Sequence, residues 1–325
     1  MACGSETVES PPAVPADWHS LNAHAAATAM VPTANERAIA ETYVAALSSP
    51  SLAKVGPMFE EMGHIAFGRK DARGRDRVQQ VHERLFGSFD DRKSFVTRVW
   101  RTNDMQMVEW ILSGTQSREW LGVPPTQRPV VIRGMTVLST QDDGTLTDAH
   151  IYFNVAVVKA ELGIGPKELQ DYVATLPAPV ALQAKPVAVD QAGSPTEKQN
   201  VIVIRASLDA LEQNKEADYL DAFADAVQIE TPGHAKTQKK EDVRSYYRMM
   251  RRAIGQLDTT ILSIRGIVDF VIVEYTISGE QYAPVGYVPV PPDHEARLDI
   301  VDVVEMHDGK IAHVWRYDGP DWPQQ

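Results

Sequence analysis

Apolar and polar positions along this chain follow two rhythms, one helical and one strand-like, and the same succession of rhythms occurs twice. Helical spacing begins at Ala34 and runs through ANERAIAETYVAALSS, with Ile39, Tyr43, Ala46 and Leu47 on one stripe and charges opposite. SLAKVGPMFEE predicts a shorter helix, and RDRVQQVHERLF a third, amphipathic one. Strands follow, among them VEWILSGTQ at residues 108–116. The second half opens with VIVIRASLDALEQ and EADYLDAFAD, continues with EDVRSYYRMMRRAI, and repeats the strand as VEYTISGEQ at residues 273–281.

The repeat can be numbered. Ala46-Leu47 precedes Phe59 by the interval that separates Ala210-Leu211 from Phe223, an offset of 164. One inserted residue makes it 165 for Val78 against Val243 and for the repeated strand. Each half ends in a hairpin, TVLSTQDDGTLTDAHIYF and DVVEMHDGKIAHVWRYD, whose Asp143-Gly144 and Asp308-Gly309 steps tolerate the positive φ of a tight turn. Helices first and antiparallel strands afterwards predict an α+β class: two cone-shaped domains, each with its N-terminal helices packed on a curved antiparallel sheet. Such a cone encloses an apolar cavity suited to a small molecule. The predicted organisation is a tether over residues 1–33, domains over 34–160 and 198–325, and a Pro/Ala-rich linker over 161–197 with one short helical piece.

Composition narrows the function. The 325 residues are 43% hydrophobic and 23% charged, in line with a soluble globular chain of two domains. A net charge of −12 argues against nucleic acid as a partner, and the basic run from Lys239-Lys240 to Arg251-Arg252 is interleaved with acids and aromatics, as on a solvated helix face. No apolar run approaches the roughly 20 residues needed to cross a bilayer. Cys3 is the only cysteine, so no internal disulfide forms. Ala2-Cys3-Gly4-Ser5 is similar to the end of a bacterial lipoprotein signal. Two readings stand side by side: a lipid anchor at Cys3 on an extracytoplasmic lipoprotein whose signal peptide was trimmed, or an incidental cysteine in a cytoplasmic protein's tail.

The layout resembles the nuclear transport factor 2-like superfamily. GTQSREWLGVPPTQRPVVIRGMTV, with its Gly-Thr strand end, Pro-Pro-Thr turn, Arg-Pro step and Gly before the next strand, is similar to the SnoaL-like polyketide cyclase branch, as is DGKIAHVWRYD. Without the family, Pro124-Pro125 stiffens a loop, and Gly114, Gly122 and Gly134 mark strand bends or close approaches, an architectural reading. The matching loop of the second half, QYAPVGYVPVPPDHEARLD, is longer and richer in Pro and Tyr, as at a cavity mouth that selects what enters.

Enzymes with this resemblance act on enolisable carbonyls through a carboxylate in an apolar cavity, where desolvation favours the neutral acid, and a group that stabilises the enolate. Asp302 lies in LDIVDVVEM, seven residues before Gly309, where the resemblance implies an oxyanion-stabilising acid. On the next strand, alternation puts Ala312, Val314, Arg316 and Asp318 on one face and His313, Trp315 and Tyr317 on the other, so that Asp302, Arg316 and Asp318 converge as a candidate catalytic set. The alternative is a structural Arg316 ion pair with a solvated Asp318 at the strand end. The family's terminal Asp falls on Gly319 here, one residue after Asp318.

At an offset of 165 the first half has Val137 against Asp302, and it has Asn154 at the terminal Asp. Phe67 and Thr231 stand where ketosteroid isomerase carries its base. Tyr43 falls at that enzyme's oxyanion Tyr, with Ser207 in the second half. Tyr43, His150, Tyr152, Trp315 and Tyr247 are candidate ligand contacts, although a helical Tyr or a strand His also serves as plain packing. His64 precedes the first strand. Since no His and acid share metal-ligand spacing, no metal and no cofactor are expected. Gly-rich phosphate loops and nucleophile elbows are absent.

Two functions follow: a cyclase- or isomerase-like acid–base enzyme whose second domain is catalytic, or a non-catalytic module, such as a surface lipoprotein, binding a small apolar molecule or a protein partner. In either case the superfamily's habit of pairing through the open sheet face predicts an intramolecular pseudo-dimer, sheet against sheet.

Overall fold

The computed structural model describes residues 34–319 apart from 69, 177–186, 232–237, 286–289 and 292. Cys3 and the predicted tether lie outside them, as do parts of the linker and of the long second-half loop. The first copy runs α1 (Ala34–Leu47), a 3-10 turn (Gly56–Met58), β1 (Phe59–Phe67), β2 (Lys70–Arg73), α2 (Arg75–Phe86), β3 (Phe89–Arg101), β4 (Met105–Gln116), β5 (Pro129–Thr140) and β6 (Leu146–Phe153). Next come α3 (Val155–Glu161), α4 (Lys167–Ala174) and β7 (Val187–Asp190). The second copy has α5 (Pro195–Glu212), α6 (Glu216–Asp221), β8 (Phe223–Glu230), α7 (Lys240–Ala253), β9 (Ile254–Ile267), β10 (Phe270–Gln281), β11 (Glu295–His307) and β12 (Lys310–Gly319). The sheets are ordered β2-β1-β6-β5-β4-β3-β7 and β8-β12-β11-β10-β9, with helices and sheets in two α+β units.

Three segments differ from the sequence reading. SLAKVGPMFEE is not a helix: Pro57 cannot donate and disfavours helix before it, so a 3-10 turn leads into β1, which lies parallel to β6. The linker contributes structure to the first sheet, because β7 pairs in parallel with β3. And α5 starts six residues early, on a capping box in which Ser194 accepts from the Glu197 amide and Glu197 reaches back to the Ser194 amide. Glu197 also accepts from the Ala192 and Val268 amides, fastening linker, helix and β9–β10 turn together.

Strands β4, β10 and β11 are buried almost continuously, on both faces. One face of each sheet packs on its own helices, forming two separate cores. The other faces share a third apolar cluster, with Trp100, Met107, Met135 and Val137 from the first sheet against Ile272, Val301, Val303 and Trp315 from the second. Double burial explains why these strands read as unbroken apolar runs rather than alternating ones.

Polar groups in this dry layer are matched by the repeat. Glu109 and Glu274 occupy the same position of the repeated strand, and so do Tyr152 and Tyr317 of β6 and β12, each pair 165 apart. Tyr317 donates its hydroxyl to Glu109 Oε1, while Tyr152 donates to Glu274 Oε1 at 2.9 Å. Each copy's glutamate thus accepts a hydrogen bond from the other copy's tyrosine. Their cationic partners differ. Glu109 takes two bonds from Arg98, at 2.8 and 2.5 Å, and Arg98 lies 4.1 Å from the Trp315 ring centroid. Ser263 stands in the place of Arg98 and bonds Glu274 Oε2 at 2.6 Å, and His150 Nδ1 reaches Glu274 Oε1 at 2.9 Å. Burial alone would raise the Glu109 pKa, but the adjacent Arg98 guanidinium holds it below the usual range.

Strand register corrects one equivalence. Glu109 pairs with Met135, whereas Glu274 pairs with Val301, so at this strand the offset is 166. The β10–β11 connection is one residue longer. Thr136, not Val137, therefore stands in the place of Asp302, and Val137 lies in the shared layer instead.

The reciprocal bonds carry an expected energetic signature. In urea unfolding, a double-mutant cycle between Glu109→Gln and Tyr317→Phe should show a coupling of about 1–3 kcal/mol, as for a buried charge-assisted bond. Additive single effects would mean that this contact contributes nothing across the layer.

Candidate functional site

The cone of the second copy keeps an apolar cavity of about 30 Å³, lined in part by Leu208, Leu211 and Phe223 and bordered by a single polar network. Asp302 on β11 and Arg316 on β12 are cross-strand partners, so both side chains point into the cone together with Val314 and Val304. Arg316 Nε donates to Asp302 Oδ1 at 2.8 Å and its Nη2 to Asp302 Oδ2 at 2.7 Å, a bidentate pair. Tyr275, on the repeated strand, donates to Asp302 Oδ2 at 2.9 Å and accepts from Arg316 Nη2 at 3.0 Å. From α7, the Tyr246 hydroxyl accepts from Arg316 Nη1 at 2.6 Å.

Burial by itself would lower the Arg316 pKa, but Asp302 and the two tyrosines hold it well above its ordinary value. Burial raises Tyr246 and Tyr275. Both remain phenols, and the Tyr246 proton has no acceptor among the described residues, so it is free to point at a guest. The arrangement can grip and polarise an oxygen acceptor. General-base chemistry is less well served, because both Asp302 oxygens are already engaged.

The first cone is filled. Trp110 stands where Tyr275 does and bonds Thr136, the counterpart of Asp302, at 2.9 Å, the same contact in aromatic-to-β5 form. Its ring lies on Gly134, where any Cβ would come within 2.4 Å of it, so only glycine fits. Ile151 replaces Arg316. Phe67 stacks on Phe153 with ring centroids 4.9 Å apart, and Phe86 closes on both Phe153 and Trp110. Tyr43 projects from α1 to within 2.9 Å of His82 Nε2. In the second copy the Tyr43 position is Ser207, which lines the open cavity.

Family models match both copies: a SnoaL-like polyketide cyclase over residues 37–162 and a SnoaL-like domain over residues 204–314. The chain carries two SnoaL-like domains in tandem. Solved structures similar to it include an epoxide hydrolase of the LEH-like type from M. tuberculosis, at 18% identity and a TM-score of 0.32, covering 38% of this chain and 85% of that one. A Jannaschia sp. CCS1 protein described as a SnoaL-like polyketide cyclase shares 18% identity at a TM-score of 0.38, over 42% of this chain and all of that one. TsrD from Streptomyces laurentii shares 17% identity at 0.34, over 38% and 90%. No curated protein matches significantly.

Of the residues singled out from sequence, Asp302 and Arg316 meet in the second SnoaL-like cavity. Asp318 does not join them: it accepts from Asn154 Nδ2 of the first domain at 3.1 Å, drawn aside at the strand end. Trp315, His150 and Tyr152 lie on the opposite sheet face, in or beside the shared layer, as strand alternation requires. Tyr43 is a core residue of the first domain. Tyr247 packs in the second core and donates to Asn214 Oδ1 at 3.1 Å; its neighbour Tyr246 lines the cavity. Tyr246 and Tyr275 were missed. The signal for Tyr275 was its alternation with Val273 and Ile277, both of which line the cone.

Side chains that lack metal-ligand spacing along the chain nevertheless meet in space. Because β1 runs parallel to β6, His64 is paired with Asp148 and Ala66 with His150, which gathers His64, Asp148 and His150; the last two line a hollow of about 360 Å³ between the domains. Burial would lower the His150 pKa, but hydrogen bonds to Asp148 and Glu274 outweigh it and push it up to about 10.

The filled first domain predicts acid lability. His82 is fully buried, with Nδ1 donating to the Val78 carbonyl at 2.8 Å, and desolvation lowers its pKa to about 4. Between pH 6.5 and 4 the unfolded chain binds a proton that the native chain refuses. Stability is therefore full above about pH 6.5 and falls as pH drops, with His82 alone removing about 3 kcal/mol by pH 4. Urea midpoints across this range, with the His82 ring followed by NMR, check it; a His82 that is protonated at pH 5.5 in the native state would refute it.

Proposed function

We propose that the second SnoaL-like domain binds a small, largely apolar molecule bearing an oxygen acceptor, and that the first domain is its structural partner in an intramolecular pseudo-dimer. The observation that carries this reading is the Asp302–Arg316–Tyr275–Tyr246 network set into an apolar lining in one copy only, with Thr136, Ile151 and Trp110 in the corresponding places of the other. Apolar walls supply affinity and one polar corner supplies orientation, the usual division of labour in a small-molecule site. The shared apolar layer and the reciprocal tyrosine bonds support the pairing.

A carbonyl oxygen in the corner would accept from the Tyr246 hydroxyl, whose own oxygen is already polarised by Arg316. Charge developing on that oxygen would be stabilised as in an oxyanion hole. For cyclase or isomerase turnover a carbon-bound proton must also find a base, and Asp302 would first have to leave Arg316. Binding and polarisation are therefore the better supported reading. In the closed form a space of about 30 Å³ admits a water or two, so the guest is small and enters with movement of the lining side chains.

Acetophenone and ethylbenzene, alike in shape but differing in the carbonyl, separate the contributions. In NMR titrations acetophenone should bind roughly tenfold more tightly, the worth of one good hydrogen bond. Ser207→Tyr, which copies the first domain's plug, should abolish binding of both with little change in fold. Equal affinities that survive Ser207→Tyr would contradict the proposal.

A further inference from the structure

Beside the hollow between the domains, both ring nitrogens of two histidines face carboxylate oxygens. His64 Nδ1 is 2.7 Å from Asp148 Oδ1 and its Nε2 is 3.3 Å from Asp71 Oδ2. His150 Nε2 is 3.1 Å from Asp148 Oδ2 and its Nδ1 is 2.9 Å from Glu274 Oε1. A neutral imidazole has one N–H. The outer nitrogens face Asp71 and Glu274, so the inner ones, His64 Nδ1 and His150 Nε2, flank the Asp148 carboxylate and bring three potential ligand atoms together. A metal ion held there would take the place of the protons in the two inner hydrogen bonds.

We infer that His64 Nδ1, His150 Nε2 and an Asp148 oxygen form a binding site for a divalent transition-metal ion of the zinc class. The donor atoms lie within 4.8 Å of one another, and a tetrahedral ion about 2.1 Å from each ligand would draw them to about 3.4 Å apart. Asp148 sits between the rings, so reaching that spacing takes side-chain rotations in which its 2.7 and 3.1 Å contacts open a little and the rings approach. Two imidazoles and one carboxylate is a set that zinc accepts with one position left open, and two of the three ligands, Asp148 and His150, line the hollow together with Glu274.

The second ring of contacts agrees with the first. Ligating histidines characteristically donate their other N–H to a carboxylate, which fixes the ring and raises its basicity. Asp71 does this for His64 and Glu274 for His150. Asp71 is exposed, whereas the Glu274 side chain is only 1% exposed and is locked by Tyr152 and Ser263, so His150 is the better oriented ligand. Glu274 belongs to the second domain and the ligands to the first, so an ion here would tie metal affinity to the pairing of the domains.

The full chain, stripped with a chelator, should take up one Zn²⁺ by calorimetric titration, and Co²⁺ in its place should give the absorption of a tetrahedral or five-coordinate ion. His64→Ala and His150→Ala should each weaken Zn²⁺ binding at least about 100-fold, and Glu274→Gln, which leaves all three ligands in place, about 10- to 100-fold. His313→Gln, at the separate His313–Glu230 pair, should change nothing. Should the alanine variants fail to fold, the wild-type chain still decides: Zn²⁺ should shift the His64 and His150 ring resonances and leave those of His82 and His313 in place. Absence of stoichiometric binding, or binding that ignores His64 and His150, would overturn the inference and leave the cluster as a hydrogen-bonded His64–Asp148–His150 chain.

Discussion

Two glutamates sit in a dry layer between two sheets, and each is satisfied by a tyrosine from the opposite copy. A buried carboxylate that loses a partner costs several kcal/mol: Glu109 would keep Arg98 within its own copy, whereas Glu274 would keep only Ser263 and lose both His150 and Tyr152. That constraint accounts for the strongest pattern in the chain. VEWILSGTQ and VEYTISGEQ keep a glutamate in the middle of an apolar strand because the strand is buried on both faces and the charge has an assigned partner across the layer. The last residue of each stretch is retained for a local reason. Gln116 bonds the Arg118, Val123 and Pro124 carbonyls and Gln281 the Ala283 carbonyl, each bracing the loop that follows its strand.

Once pairing is shared between copies, the interiors of the cones are free to diverge. The first spends its interior on packing: Tyr43, Phe67, Phe86, Trp110 and Phe153 are buried together in its core, and the polar atoms of Tyr43 and Trp110 close on His82 and Thr136. The second replaces Tyr43 with Ser207 and Thr136–Ile151 with Asp302–Arg316, exchanging aromatic fill for a small space with a charged corner. A change of this kind inside one cone leaves the shared layer untouched, because strand alternation sends the two sets of side chains to opposite faces.

Much of this was legible beforehand, for identifiable reasons. The repeat, the α+β class, the helices on the amphipathic segments and the convergence of Asp302 with Arg316 all follow from periodicity and from a fixed offset, which are local properties. What escaped depends on pairing between distant strands. A one-residue difference in the β4–β5 and β10–β11 connections turned Val137 away from the cone and put Thr136 in its place, and no offset carried through a loop can reveal that. His64 and Asp148 are 84 residues apart and meet only because β1 and β6 run parallel, so ligand spacing along the chain was the wrong test. Asp318 alternates correctly with Arg316 yet is drawn to Asn154 of the other domain, a partner that a reading confined to one copy leaves out.

If the reciprocal bonds and the shared layer make the two copies one cooperative body, heat should unfold them together. Scanning calorimetry of the full chain is the direct measurement. One transition is expected, with calorimetric and van't Hoff enthalpies that agree, shifted to lower temperature as a single peak when Tyr152 and Tyr317 are both replaced by Phe. Two separate transitions, one per copy, that do not respond to those replacements would contradict it.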